Sequence, residues 1–235
     1  MTLFDVLDAT WPAAASHMAG GFRIREGRGG GSRVSSASLE VPFAEADIDS
    51  AAAAHRALGQ PPKFIVRPGE EALDAALAVR GYEPFDPVTI YTAPLAALAD
   101  NVPPVTAFAH WPPLAITREV WDSCGIGPSR QAVAERAPAP KVAILGRRQD
   151  RAAGAAFIAI HGGTAMLHGL VVLPAFQRMG LAAAIMAEAT RWAKAEGAET
   201  LALVVTRANG PANALYTGMG MQPTSHYHYR REASE

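Results

Sequence analysis

The stretch Leu170–Ala182 reads LVVLPAFQRMGLA and carries the clearest chemistry in the chain. An apolar strand stops at Pro174. A helix is expected from Gln177 to Glu196, with Gly180 in its first turn. The first N–H groups of a helix have no acceptor within the helix and carry the positive end of its macrodipole. A diphosphate satisfies several of them together. Gly180 and Ala182 leave the backbone approachable, and Arg178 adds a positive charge. Taken alone, the pattern also suits a helix whose glycine relieves packing against a sheet. The glycine run Gly27–Gly31 invites the same phosphate reading, but it joins two expected strands, Phe22–Arg25 and Ser32–Leu39, and reads as a hairpin turn.

The elements that must position these residues are legible in outline. In the first half, helices are expected over 45–58 and 70–79, and strands over 63–66 and 87–91. Eight of the eighteen prolines fall between Pro94 and Pro140, which marks a boundary. Two short helices follow near Ala115–Trp121 and Ser129–Ala134. The apolar segments Lys141–Gly146, Ala153–Ile160 and Ala165–Leu173 read as an antiparallel meander. A buried strand, Leu201–Val205, a helix, Pro211–Met219, and a last strand, Ser225–Arg230, complete the chain. An ungapped offset that places Gly81 on Gly220 also lays Pro84 on Pro223 and Phe64–Val66 on Leu203–Val205, so strand, helix, glycine and strand recur in both halves. The reading is a duplication, with residues 1–99 a degenerate copy and 100–235 the working domain. The first copy has Leu77 opposite Tyr216 and nothing like the loop Gln177–Ala182.

Composition narrows the classes. The net charge of −1 offers no basic surplus for nucleic acid. No run of about 18 apolar residues suggests a membrane span. Cys124 is the lone cysteine, and the first residues, with Asp5 and Asp8 and no Lys or Arg, lack the pattern of a secretory leader. A cytoplasmic protein is expected, of unknown oligomeric state. His226 and His228 alternate with Tyr227 and Tyr229 and share a strand face, but a metal needs further ligands; none is expected.

Gln177-x-x-Gly180-x-Ala182 resembles the pyrophosphate loop of the GNAT family of N-acetyltransferases. It follows Val172-x-Pro174 on a strand, and the chain then reads Asn209-x-x-Ala212-x-x-Leu215-Tyr216-x-x-x-Gly220, similar to the family's second signature. The resemblance covers roughly Val105–Arg230 and extends to two-domain bacterial members; Met221 stands where the family often has Phe. It implies an α/β fold of tandem domains, each a mainly antiparallel mixed sheet flanked by helices. It implies acetyl-CoA held by Gln177, Arg178, Met179, Gly180, Leu181, Ala182 and Asn209, with backbone N–H groups of Val171 and Val172 on the pantetheine arm and thioester carbonyl. The acceptor would be a primary amine of a small molecule or peptide, attacking directly in a ternary complex. A non-catalytic acyl-CoA-binding module is the alternative.

Two side chains carry the implied chemistry. Tyr216 stands where the family has its general acid. A free thiol ionises near 8.5 and a tyrosine near 10, so full proton transfer to a thiolate is uphill by about 2 kcal/mol and Tyr216 serves as a hydrogen-bond donor or a late acid. His168 matches a base position of the arylalkylamine acetyltransferases; a histidine near 6.5 can take a proton from an amine near 10.4. Its other reading is a structural strand histidine. Trp111, Trp121 and Phe108 fall where the family builds its acceptor pocket, or pack the core.

Overall fold

The computed structural model describes residues 1–233. Helix α1 (Leu3–Thr10) opens the chain. The Thr2 hydroxyl accepts from Asp5 N–H, and the Asp5 carboxylate accepts from Thr2 N–H. This reciprocal cap satisfies two end donors of the helix. The sequence reading has no helix here. Strands β1 (Ala15–Ala19) and β2 (Phe22–Glu26) turn at Gly20–Gly21, both at positive φ, as a tight two-residue hairpin requires. The short β3 (Ser38–Leu39) pairs with β2. The strands expected to flank Gly27–Gly31 do pair antiparallel, Phe22↔Leu39 and Arg23↔Ser38, but the link between them is longer than expected: its glycines lead into a 3-10 turn, Ser32–Val34, and only the end of the second expected strand joins the ladder.

Helix α2 (Ile48–Ala57) starts at Asp47, whose carboxylate accepts from the N–H groups of Asp49 and Ser50. Then come β4 (Lys63–Val66), α3 (Glu71–Val79) and β5 (Tyr82–Pro94). A strand missed by the sequence reading, β6 (Ala107–His110), precedes α4 (Ala115–Ser123) and α5 (Pro128–Arg136). The meander is β7 (Lys141–Arg148), β8 (Arg151–His161) and β9 (Thr164–Val172). Helix α6 (Leu181–Ala195) starts four residues later than expected. Strand β10 (Thr200–Thr206), α7 (Gly210–Gly218) and β11 (Gln222–Glu232) follow. The fold is mixed α/β. Besides the sheet β1-β2-β3, the described residues form an eight-stranded mixed sheet in the order β4-β11-β5-β10-β9-β8-β7-β6.

Contacts divide the chain into two compact units. One comprises Met1–Pro12, Tyr91–Val204 and Pro211–Gln222; the other comprises Ala13–Ile90, Val205–Gly210 and the segment from Pro223 onward. Helix α1 thus packs with the second half of the sequence. The unit built on Ala13–Ile90 has a core of Phe22, Ile24, Phe64, Leu73, Leu77 and Tyr82. In it, Asp74 accepts from Arg230 at 2.5 Å and meets His228 at 2.7 Å, and these partners, Arg230 foremost, hold its carboxyl below the usual range. The segments β4–α3–β5 and β10–α7–β11 repeat the same order, and Gly81 and Gly220, just beyond α3 and α7, share φ of 81° and 83°.

In the other unit, α6 lies close on β7 and β8. A Cβ on Gly146 or Gly154 would come within 2.7 or 2.8 Å of Ile185 Cδ1, so a side chain at either position would make Ile185 shift, and at Gly154 it would also meet Val171 O at 2.9 Å. Glu188, the polar exception on the apolar face of α6, is 1% exposed. It accepts from Ala109 N–H at 3.1 Å and from Arg191 at 2.7 and 2.8 Å. Strand β6 is the sheet edge, and Glu188 occupies one of its outward donors, which discourages edge pairing. Glu188→Leu should remove that acceptor and lower stability by about 1–2 kcal/mol, a melting shift of about 2–8 °C. Glu188→Gln should keep most of it. Thermal unfolding decides; equal losses in both variants would show that the carbonyl oxygen does not matter.

Candidate active site

Strands β9 and β10 run parallel and in register from Thr164↔Thr200 to Leu167↔Leu203. There the register ends, while β9 continues to Val172. On its other edge β9 follows β8, with Phe157↔His168 and then Ala155↔Val171, so β9 carries one extra residue between these pairs. This bulge includes Gly169, whose φ of 55° suits glycine. Trp121, 2% exposed, donates its indole N–H to the Gly169 carbonyl at 2.9 Å and holds the bulge.

Backbone direction follows from the ladder. Leu173 N–H donates to Ala153 O at 2.8 Å, across to the β8 side. Successive residues of an antiparallel strand alternate between the two edges, so Val171 also points toward β8 and Val172 points away from it. Consistently, Val171 O would lie 2.9 Å from a Cβ on Gly154, and Val172 O accepts from Gln177 Nε2 at 3.2 Å. Of the two valines the sequence nominates, Val172 has its N–H on the parted edge. The Gln177 side chain ties the loop to the strand end.

The loop after β9 is a 3-10 turn, Pro174–Phe176, with Phe176 buried. Arg178 at φ 61° and Gly180 at φ 80° turn the chain into α6. Gly180 is not inside the helix but is its N-cap residue, left-handed, with open space where a Cβ would point. No side chain caps α6 and no acid occupies its first turn. The N–H groups of Leu181 and Ala182 therefore have neither a capping side chain nor a first-turn acid competing for them. Leu181 sends its side chain into the core, 3% exposed, and Met179 is half-buried. Asn209 belongs with the segment Val205–Gly210 of the other unit, where its N–H donates to Thr206 O.

Tyr216, on α7, is 6% exposed, and burial pushes its hydroxyl up to about 12. Its ring lies 6.1 Å from that of Tyr91, whose hydroxyl donates to Asn213 Oδ1. His168 is 3% exposed, its ring stacked 4.9 Å from Trp11 and 6.1 Å from Phe157. Its Nε2 meets Thr10 Oγ1 at 2.9 Å. Thr10 and Trp11 were not legible as site residues; the available signal was the cap Thr2–Asp5 with apolar Leu3, Val6 and Leu7 at helical spacing. Trp111 is 38% exposed, 6.0 Å from Phe157, with Lys141 Nζ 4.3 Å over its ring. Phe108 lies elsewhere, lining a cavity of about 220 Å³ with Glu188, Arg191 and Trp192. Burial raises Cys124, which is a poor nucleophile for that reason. Among the described residues, no group of three or more His, Cys, Asp or Glu could hold a metal, and no helix is long and apolar enough to cross a membrane.

Strand β9 thus parts from β10 beside an uncapped helix that the chain enters through a left-handed glycine. Residues 108–221 match the model of the acetyltransferase (GNAT) family. The chain belongs to the GNAT family of N-acetyltransferases. This GNAT chain is 27% identical over 232 residues to YobR of Bacillus subtilis, an uncharacterised N-acetyltransferase, covering 94% of each. Among solved structures it resembles a GCN5-related N-acetyltransferase from Kribbella flavida (TM-score 0.74, 17% identity, 99% of this chain and 95% of that one). It also resembles a tandem GNAT protein from the clavulanic acid biosynthesis pathway (TM-score 0.62, 15% identity, 91% and 79%). At these identities the structural likeness speaks to the fold. As a GNAT member the chain is an acyltransferase, of a family whose general reaction is acetyl transfer from acetyl-CoA.

Proposed function

We propose that this GNAT chain transfers an acetyl group from acetyl-CoA to a primary amine of a small molecule or peptide, by direct attack in a ternary complex. The observation that carries this reading is the parting of β9 from β10 beyond Leu167↔Leu203 together with the uncapped start of α6. The N–H groups of Leu181 and Ala182, with Arg178, would hold the pyrophosphate. Val172 N–H would bind along the pantetheine arm, with Gln177 fixing that strand end. Acetyl-CoA supplies an activated thioester. His168 would take the amine's proton and Tyr216 would donate to the departing sulfur. Calorimetric titration with acetyl-CoA, followed by a free-thiol readout over amines, amino acids and aminoglycosides, tests the reading. Affinity without turnover across the panel would remove the amine acceptor.

Two narrower expectations arise here. If residues 1–99 are a degenerate copy, one acetyl-CoA should bind per chain, because that half lacks the loop and has Leu77 opposite Tyr216; saturation at two equivalents would overturn this. If His168 is the base, kcat/KM should rise with pH through a histidine ionisation, since only the neutral ring accepts a proton. His168→Ala should abolish that inflection and move the rise toward the amine's own ionisation. Superimposable pH profiles would leave His168 as packing.

A further inference from the structure

Thr10 stands outside the matched family segment, on a helix the sequence reading passed over, yet it touches the ring assigned above as the base. Its hydroxyl has a single proton. Thr10 Oγ1 lies 2.7 Å from Val6 O, inside helix α1, and a carbonyl oxygen can only accept. Two oxygens at that separation need a proton between them, so the Thr10 proton is committed to Val6. The same oxygen lies 2.9 Å from His168 Nε2. With its proton spent, it meets that nitrogen as an acceptor, and Nε2 must carry hydrogen. The neutral ring then keeps its lone pair on Nδ1. Trp11, the next residue, stacks on the ring and Phe157 adjoins it, so orientation as well as tautomer is held from α1 and β8.

We propose that Thr10 is a positioning residue of the acetyltransferase site, holding His168 in the Nε2–H tautomer so that Nδ1 is the atom that accepts the amine proton. This rests on the reading of His168 as base. The Thr10 bond is compatible with both protonation states, because Nε2 donates whether or not Nδ1 is protonated, and it strengthens when the ring is charged. The proton acquired at Nδ1 thus costs no rearrangement at Thr10. Thr10→Val preserves shape and removes the acceptor, leaving Nε2–H facing a methyl group. Helix α1 is by this account part of the working unit, placed beside β9 by its own capping and apolar face.

The test has two arms. Nitrogen-15 spectra of the histidine-labelled full chain should show His168 with hydrogen on Nε2 at neutral ring charge, and Thr10→Val should lose that preference. A wild-type ring with hydrogen on Nδ1 would overturn the proposal whatever the variant does, including failing to fold. In steady-state assays Thr10→Val should lower kcat about tenfold with acetyl-CoA affinity within threefold, and Thr10→Ser, which keeps the hydroxyl, should recover most of the loss. An unchanged kcat in Thr10→Val, or equal losses in the two variants, would refute the positioning role. If His168→Ala retains full activity, the base assignment fails, while the tautomer spectrum still reads the Thr10–His168 bond by itself.

Discussion

Gly180→Glu should weaken acetyl-CoA binding at least about 100-fold, close to 3 kcal/mol, while the protein stays folded. Two effects have to be separated. Gly180 has φ 80°, and an L side chain there costs about 1–2 kcal/mol. No heavy atom lies within 4 Å of an added Cβ, so there is no steric term. A carboxylate at a helix start also recovers part of the strain through the macrodipole. The melting temperature should therefore fall only by about 2–6 °C. Binding suffers far more, because the carboxylate competes for the same uncapped N–H groups and repels the diphosphate. Gly180→Ala carries the strain without the charge and should stay within about tenfold of wild type. Calorimetry on the three proteins decides: unchanged affinity in Gly180→Glu would remove this loop from the site, and equal losses in Glu and Ala would assign the effect to backbone strain.

Tyr216→Phe should reduce kcat about 100-fold, with acetyl-CoA affinity within threefold. Tyr216 is buried and its hydroxyl ionises at about 12, so it is neutral at any working pH. Full proton transfer to a free thiolate near 8.5 is then uphill by about 5 kcal/mol, steeper than the sequence alone suggested. The hydroxyl acts mainly as a donor to charge that develops on sulfur, an interaction present only as the bond breaks. Its loss therefore falls on kcat. The raised value also fixes a sign. Deprotonation is resisted in the folded state, so Tyr216 adds stability below the unfolded value near 10 that is lost as pH rises toward about 12. Activity should show no alkaline fall from Tyr216 before that range. A kcat loss below threefold in Tyr216→Phe would leave the tyrosine as packing against Tyr91.

By itself the sequence determined what short-range physics writes into it. A strand stopped by Pro174, a glycine at a helix start and a second signature ending in Tyr216 and Gly220 are local patterns, and they led to the family, the loop and the order of elements from β7 onward. Alternation along β11 likewise separates Tyr227 and Tyr229 from His226 and His228, and the structure buries the tyrosine face. The start of α6 was misplaced by four residues because MGLAAA is helical by composition, while the left-handed turn at Arg178 and Gly180 is set by the loop's return from β9. Only tertiary structure decided which edge of β9 each backbone group faces, since that depends on the bulge at Gly169 and the register with β8. It alone showed that Glu188 is buried to serve an edge strand, and that Trp121 serves the bulge while Phe108 lines a different cavity. Thr10 lies 158 positions from His168, and no local rule links residues so far apart: the bond exists because α1, closed by its own cap, packs on β8 and β9.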